Sequence, residues 1–319
     1  MNKKTMVGGQ ALIEGIMMKG GEKTAVSVRV PSGDIETEYI KEKHLKDKYK
    51  IFGLPVIRGV VNFVESMIQG YKALMLSADK SGMTDLEEEE EPKEKKKDDG
   101  KKESLLISIV MIIGSVLGVA LSIFLFMYIP ALLFNGFKFI LGGNVSEKIR
   151  PLFEGVIKIA IFVGYVALVS LMKDIKRVFM YHGAEHKTIF CYEKGLELTV
   201  ENVRKQKRFH PRCGTSFMIL MLVVGILLNL IIVTVYPPIT NITILWVAVK
   251  ILTVPVVCGF GYELIRICGR YDNIITRIVA SPGMWVQRLT TKEPDDDMIE
   301  VAIESLKAVI PEDGASNKC

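Results

Sequence analysis

A chain of 319 residues that is 49% hydrophobic, with a mean hydropathy of +0.30, is too apolar for an ordinary soluble protein, and its apolar residues fall in long runs. The net charge of +5 lacks the aromatic interleaving or binding motif that nucleic acid requires, so nucleic acid is excluded as a partner. Five scattered cysteines form no paired framework, which suits a reducing compartment and argues against a disulfide-stapled fold.

The start, MNKKTMVGGQALIEG, has two lysines but no apolar core of signal-peptide length, so no cleaved signal is expected. Thr24 to Val30 alternates and is β-branched, Pro31-Ser32-Gly33-Asp34 reads as a turn, and Ile35 to Ile40 returns. That predicts a small N-terminal β-hairpin unit. From Pro55 to about Ser77 the period becomes helical. Arg58, Asn62, Glu65, Gln69 and Lys72 make one polar stripe, and apolar residues cover the rest, as in a helix lying at a membrane interface or packed on membrane spans. These pieces make up a cytoplasmic N-terminal unit, residues 1–80. Residues 81–103 hold an acidic run followed by lysines and read as a charged, flexible linker.

Four apolar stretches follow within residues 104–264: about 105–128, with Pro130 helping to end it, then 152–172, 216–236 and 244–264. At a rise of about 1.5 Å per residue each is long enough to cross a core about 30 Å thick. The expected fold class is therefore mainly α, a polytopic membrane protein with about four transmembrane helices, the β-hairpin unit and amphipathic interfacial helices. Basic residues concentrate in the loop 173–215 and in the tail 265–319, while the stretch from Pro237 to Thr243 carries none. The positive-inside rule then places both termini and the middle loop in the cytoplasm. In the tail, Tyr271 to Leu289 suits the interface, and Asp295-Asp296-Asp297 opens a helix running to Val309.

The middle loop carries the chemistry. His182 and His186 are four residues apart, so on a helix both imidazoles reach one ion. Glu185 between them completes His-x-x-Glu-His, the inverted zinc-hydrolase pattern, in which the glutamate activates a water. That pattern needs a third ligand, for which Glu193, Glu197, Glu201 and Glu263 are available. A second string, Arg208-Phe209-His210-Pro211-Arg212-Cys213-Gly214, holds His-x-x-Cys, half of a zinc knuckle. With His182 and His186, the pair His210 and Cys213 completes a closed four-coordinate site, which is structural; without them a position stays open, which is catalytic. Lys158, Lys250, Asn229 and Glu263 are polar residues within the spans. Such residues mark transport pathways in other membrane proteins, although the two lysines have the length to snorkel.

The strings GGQALIEGIMMKG, HGAEHKTIFCYEKG, FHPRCGTSF, GYELIR and SPGMWVQRLTTKEPDDDMIEVAIESL occur in this order along nearly the whole chain. As a set they resemble the bacterial YqhQ-like family of multipass membrane proteins, described as predicted metal-dependent enzymes. The resemblance implies a bacterial cytoplasmic membrane and implies that these strings belong together. The leading expectation is a zinc-dependent hydrolase, with zinc or another divalent ion held by His182 and His186. Glu185 is then the general base, and His210, Cys213 or Glu263 completes the shell. Two further expectations stand beside it: a non-enzymatic scaffold or envelope-assembly factor with a structural metal, and an oligomeric transporter. The expected partners are the lipid bilayer, other membrane proteins and a second copy of the chain.

Overall fold

The computed structural model describes residues 7–21, 23–41, 45, 49–82, 113–211, 213–271 and 273–310. The expected linker from residue 83 onward, and the expected first span as far as residue 112, lie outside the described residues. The chain forms two compact units, each discontinuous in sequence: Met1–Glu88 with Tyr165–Met221 and Cys258–Cys319, and Glu89–Gly164 with Leu222–Val257.

The first unit is built on an antiparallel sheet of four strands in sequence order: β1 (Val7–Leu12), β2 (Gly15–Gly20), β3 (Lys23–Arg29) and β4 (Ile35–Ile40). The expected hairpin is the β3–β4 pair, closed by a turn in which Gly33 has φ +93°, a conformation that favours glycine. A second hairpin, β1–β2, precedes it. Its sequence gave no alternation to read, because β2 is largely buried on both faces. Ile16, Met18 and Ala25 point to one side, and Leu12, Val26 and Val28 to the other.

Nine α-helices follow the sheet among the described residues. The amphipathic helix α1 is Ile57–Lys80. After the first span, α2 (Ile113–Ile140), come α3 (Arg150–Val169), α4 (Lys173–Glu193) and the short α5 (Val200–Arg204). The spans α6 (Gly214–Val235) and α7 (Thr243–Arg270) lead to α8 (Ile274–Thr290) and α9 (Asp296–Val309).

The main core joins one sheet face to α4 and α9. Ile299 and Leu306 of α9 are fully buried against Ile16, Met18 and Ala25. Each such side chain contributes about 1.5–3 kcal/mol by leaving water, so α9 is a core element although it stands at the end of a charged tail. On the other sheet face α1 packs through Ala73. Its inward stripe is made of small residues, Gly59, Gly70, Ala73 and Ser77. Its bulky apolar residues Met67, Ile68 and Tyr71 are exposed. The polar stripe read from sequence is partly turned inward: Arg58 pairs with Glu263 and Asn62 donates to the Tyr262 hydroxyl.

Four helices are long and apolar enough to cross a membrane, with 11 to 33% of their most apolar stretches buried inside the protein. The chain is a polytopic membrane protein, because such apolar helix surfaces are stable only in lipid. The first span corrects an expectation. It does not end at Pro130 but continues to Ile140, and a π-helical turn over Phe124–Tyr128 precedes the proline. The missing N–H of Pro130 falls where a regular α-segment restarts, so it removes little.

Candidate metal centre

The site belongs to the first unit and starts from α4. Helical spacing puts His182 and His186 on one face, with ring centroids 4.4 Å apart. Gly183 does not break the helix. A Cβ there would lie 2.0 Å from the carbonyl oxygen of Lys292, so glycine lets the segment after α8 cross α4 closely. That crossing is held by the Lys292 N–H donating to the Phe179 carbonyl at 2.8 Å, and it brings the end of α8 against His182.

The ring nitrogens are then assigned by their partners. Nδ1 of His182 lies 2.8 Å from the carbonyl oxygen of Thr290, and Nδ1 of His186 lies 2.5 Å from that of Arg208. A carbonyl only accepts, so each Nδ1 carries the proton and each Nε2 keeps its lone pair. This outer-shell arrangement is the one that orients metal-binding histidines. Nε2 of His182 is 3.1 Å from Sγ of Cys213, while Nε2 of His186 is buried with no hydrogen-bond partner. The three donor atoms of His182, His186 and Cys213 all lie within 4.8 Å of one another, and among the described residues they are the group suited to hold a metal ion.

Burial pushes the Cys213 thiol up, but the nearby His186 imidazole, with a contribution from Thr215, brings it net below its ordinary value. Burial, reinforced by the charge of His182, lowers His186. Both directions favour the deprotonated forms that bind metals. Glu185 is buried and turned toward β1, where the Gly9 N–H donates to its carboxylate. Its Oε2 is buried without a partner. Burial raises Glu185 to about 7, opposed by the charge of His182 and the Gly9 hydrogen bond and reinforced by the charge of Cys213. A Cβ on Gly9 would lie 3.0 Å from Cδ of Glu185 and 2.7 Å from the Met17 carbonyl oxygen, so β1 can carry the carboxylate only with glycine there.

Of the residues named from sequence, the structure gathers His182, His186 and Cys213, sets Glu185 beside them, packs the His210 ring against that of His186 with centroids 5.7 Å apart but outside the three-donor group, and places Glu263 elsewhere. His210 is buried with its ring against Phe190 and its Nε2 3.5 Å from Oε2 of Glu193. Burial lowers His210 to about 4, so at neutral pH this contact is not an ion pair. The His210 backbone is clamped by Gln287, which accepts from its N–H at 2.8 Å and donates to its carbonyl at 2.7 Å. That clamp fixes the turn that presents Cys213. Glu263 accepts from Arg58 at 2.6 and 2.5 Å. Glu201 is paired with Lys205 at the surface. Sequence reasoning missed Gln287 and the carbonyls of Thr290 and Arg208, since a carbonyl leaves no trace in a sequence. Gly9 stood within a quoted string but without a role.

Comparisons with known proteins agree on the family. A family model described as "Protein of unknown function (DUF1385)" matches residues 54–312, which include every candidate donor. The Uncharacterized protein YqhQ of Bacillus subtilis (strain 168) is 34% identical over 315 residues, covering 95% of this chain and 92% of that protein. No solved structure matches.

Proposed function

The chain belongs to the DUF1385 family, and from that premise we propose that it is a membrane metalloprotein holding one zinc ion through His182, His186 and Cys213. The observation that carries this reading is the pair of imidazoles whose Nδ1–H groups are both tied to backbone carbonyls, leaving two Nε2 lone pairs within 4.8 Å of a buried cysteine sulfur. Two nitrogens and one sulfur suit zinc better than magnesium or calcium, which prefer oxygen. Three protein ligands leave one tetrahedral position open, the pattern of catalytic sites.

When bound, such an ion supplies Lewis acidity and acidifies a water. Glu185 then acts as the general base, taking the proton at its unpartnered Oε2. The proposed reaction class is hydrolysis at the cytoplasmic membrane face. The orientation rests on the basic residues of the 173–215 segment and of the tail.

A second reading is favoured by the depth of the site. His186 is 1% exposed and Glu185 5%, and the ligands tie α4 to the segment before α6 and to the end of α8. In that reading the metal only staples these elements together. Elemental analysis of purified protein separates the possibilities. Wild type is expected to hold stoichiometric zinc, and His182→Ala, His186→Ala and Cys213→Ser to lose it. Wild type without stoichiometric metal ends both readings. Glu185→Gln is expected to keep the metal and lose the cellular role, whereas keeping both leaves only the structural reading.

A further inference from the structure

The second unit has its own cluster of charge. Lys138 Nζ donates to Glu147 at 2.6 Å, Arg150 bridges Glu147 at 3.2 Å and Glu154 at 3.0 Å, and Lys250 donates to Glu154 at 2.9 Å. The side chains of Arg150, Glu154 and Lys250 are each 2% exposed. Trp246 Nε1–H donates to Glu154 at 2.9 Å, and Lys250 also donates to the Met127 carbonyl, within the π-helical turn of α2, at 2.8 Å. Charges inside a span are expensive and tend to be functional. These pairs set Lys138, Arg150 and Lys250 against Glu147 and Glu154, and Lys158 lies within electrostatic reach of Glu154 and Lys250, so basic side chains outnumber carboxylates.

The cluster opens onto a cavity of about 700 Å³, within the usual range for small-molecule sites. Lys138, Arg150, Asn135, Thr240 and Asn241 line it, together with Glu147. Lys138 uses one of its three N–H groups on Glu147, Asn135 donates one amide N–H to Thr243 and keeps the other, and the amide of Asn241 adds donor capacity beside them. Phe139, which lines the cavity, is 85% exposed, and its chain neighbour Ile140 and Ile244, next to the Thr243 that accepts from Asn135, are 81% and 74% exposed, as suits contact with acyl chains.

We infer that this cavity binds a phosphate-bearing anion, and that its source is the headgroup of an anionic phospholipid. The excess positive charge calls for a counter-anion. The donors suit phosphate oxygens, and the apolar rim suits a lipid rather than a free ion. A zwitterionic lipid brings its own cation against Lys138 and Arg150 and binds less well.

The test uses full-length protein, delipidated in detergent, and reads the thermal unfolding midpoint. The additions are phosphatidylglycerol, phosphatidylcholine or inorganic phosphate. The variants are Lys138→Gln, Lys138→Arg and Asn241→Leu, each compared by its ligand-induced shift and not by its absolute midpoint. Phosphatidylglycerol is expected to raise the wild-type midpoint by several degrees. Phosphatidylcholine and inorganic phosphate are expected to do little. Lys138→Gln and Asn241→Leu are expected to abolish the shift and Lys138→Arg to keep it. A shift produced equally by inorganic phosphate, and lost in Lys138→Gln, keeps the site but overturns the lipid source. No shift with either anion, or a shift that survives in both Lys138→Gln and Asn241→Leu, overturns the site itself. None of these outcomes depends on the zinc reading, whose donors lie in the other unit.

Discussion

Three side chains on α4 show how burial assigns different roles to neighbours. His182 and His186 are each tied at Nδ1, while Glu185 has one buried oxygen left over. Gly183 permits the arrangement, so Gly183→Ala should be costly. The added methyl meets the Lys292 carbonyl oxygen at 2.0 Å, and overpacking of this kind costs about 1–3 kcal/mol. The expected result is a lowered unfolding midpoint together with loss of the proposed zinc. An unchanged midpoint would show that the strand of chain after α8 can move aside. His210 supports a pH prediction. Its ordinary value is 6.5 and its folded value about 4, so between these the unfolded chain binds a proton that the folded chain does not. Its contribution is fully present above 6.5 and is lost as pH falls through the folded value. Glu185, raised from 4.5 to about 7, acts in the opposite sense, its contribution being lost as pH rises through the folded value. The difference between wild type and His210→Gln removes the Glu185 effect. That difference should change by up to about 3 kcal/mol across the His210 window, read as unfolding midpoints over a pH series.

Two amphipathic helices resolve differently. In α9 the apolar face is wholly consumed by the sheet and α4, with Ile299 and Leu306 fully buried. Leu306→Ala should therefore cost about 2–5 kcal/mol, measured as a fall in unfolding midpoint. In α1 the inward face is the small-residue stripe, and Met67, Ile68 and Tyr71 stay exposed. A face of that kind on a membrane protein belongs in the headgroup region. Met67→Glu with Ile68→Glu should leave detergent-solubilised protein folded but reduce the midpoint gained on transfer to lipid vesicles. Equal gains in the variant and wild type would show that α1 does not touch the bilayer. Both helices have a clear helical period in the sequence. The period shows that a face exists, but not whether protein or lipid covers it.

For the whole molecule, the four spans follow from length and hydropathy, and the orientation proposed for them rests on the basic residues. Placing both termini in the cytoplasm predicts that single cysteines introduced at Ser146 and Asn241, on a background with the native cysteines outside the site replaced, react with an impermeant thiol reagent in intact cells. A cysteine at Lys205 is expected to react only after lysis. The reverse pattern would turn the molecule over and place the His182, His186 and Cys213 cluster outside.

The sequence alone determined the four spans, the β3–β4 hairpin, the helix that carries His182 and His186, and the family, because each is written in local period, length or motif. Only the tertiary structure brings Cys213 within 4.8 Å of both histidine donors, sets the His210 ring beside His186 outside that group, and pairs Glu263 with Arg58. A residue's spacing limits its reach along its own element. Which donors converge is set by contacts between distant segments, such as Gln287 on the His210 turn and Lys292 across Gly183. The charges of the spans followed the same rule. Lys250 read as a residue able to snorkel, and the fold instead gave it Glu154 and the Met127 carbonyl within the π-helical turn of another helix. Hydropathy registers that a charge lies in a span, whereas its partner depends on which helices pack side by side.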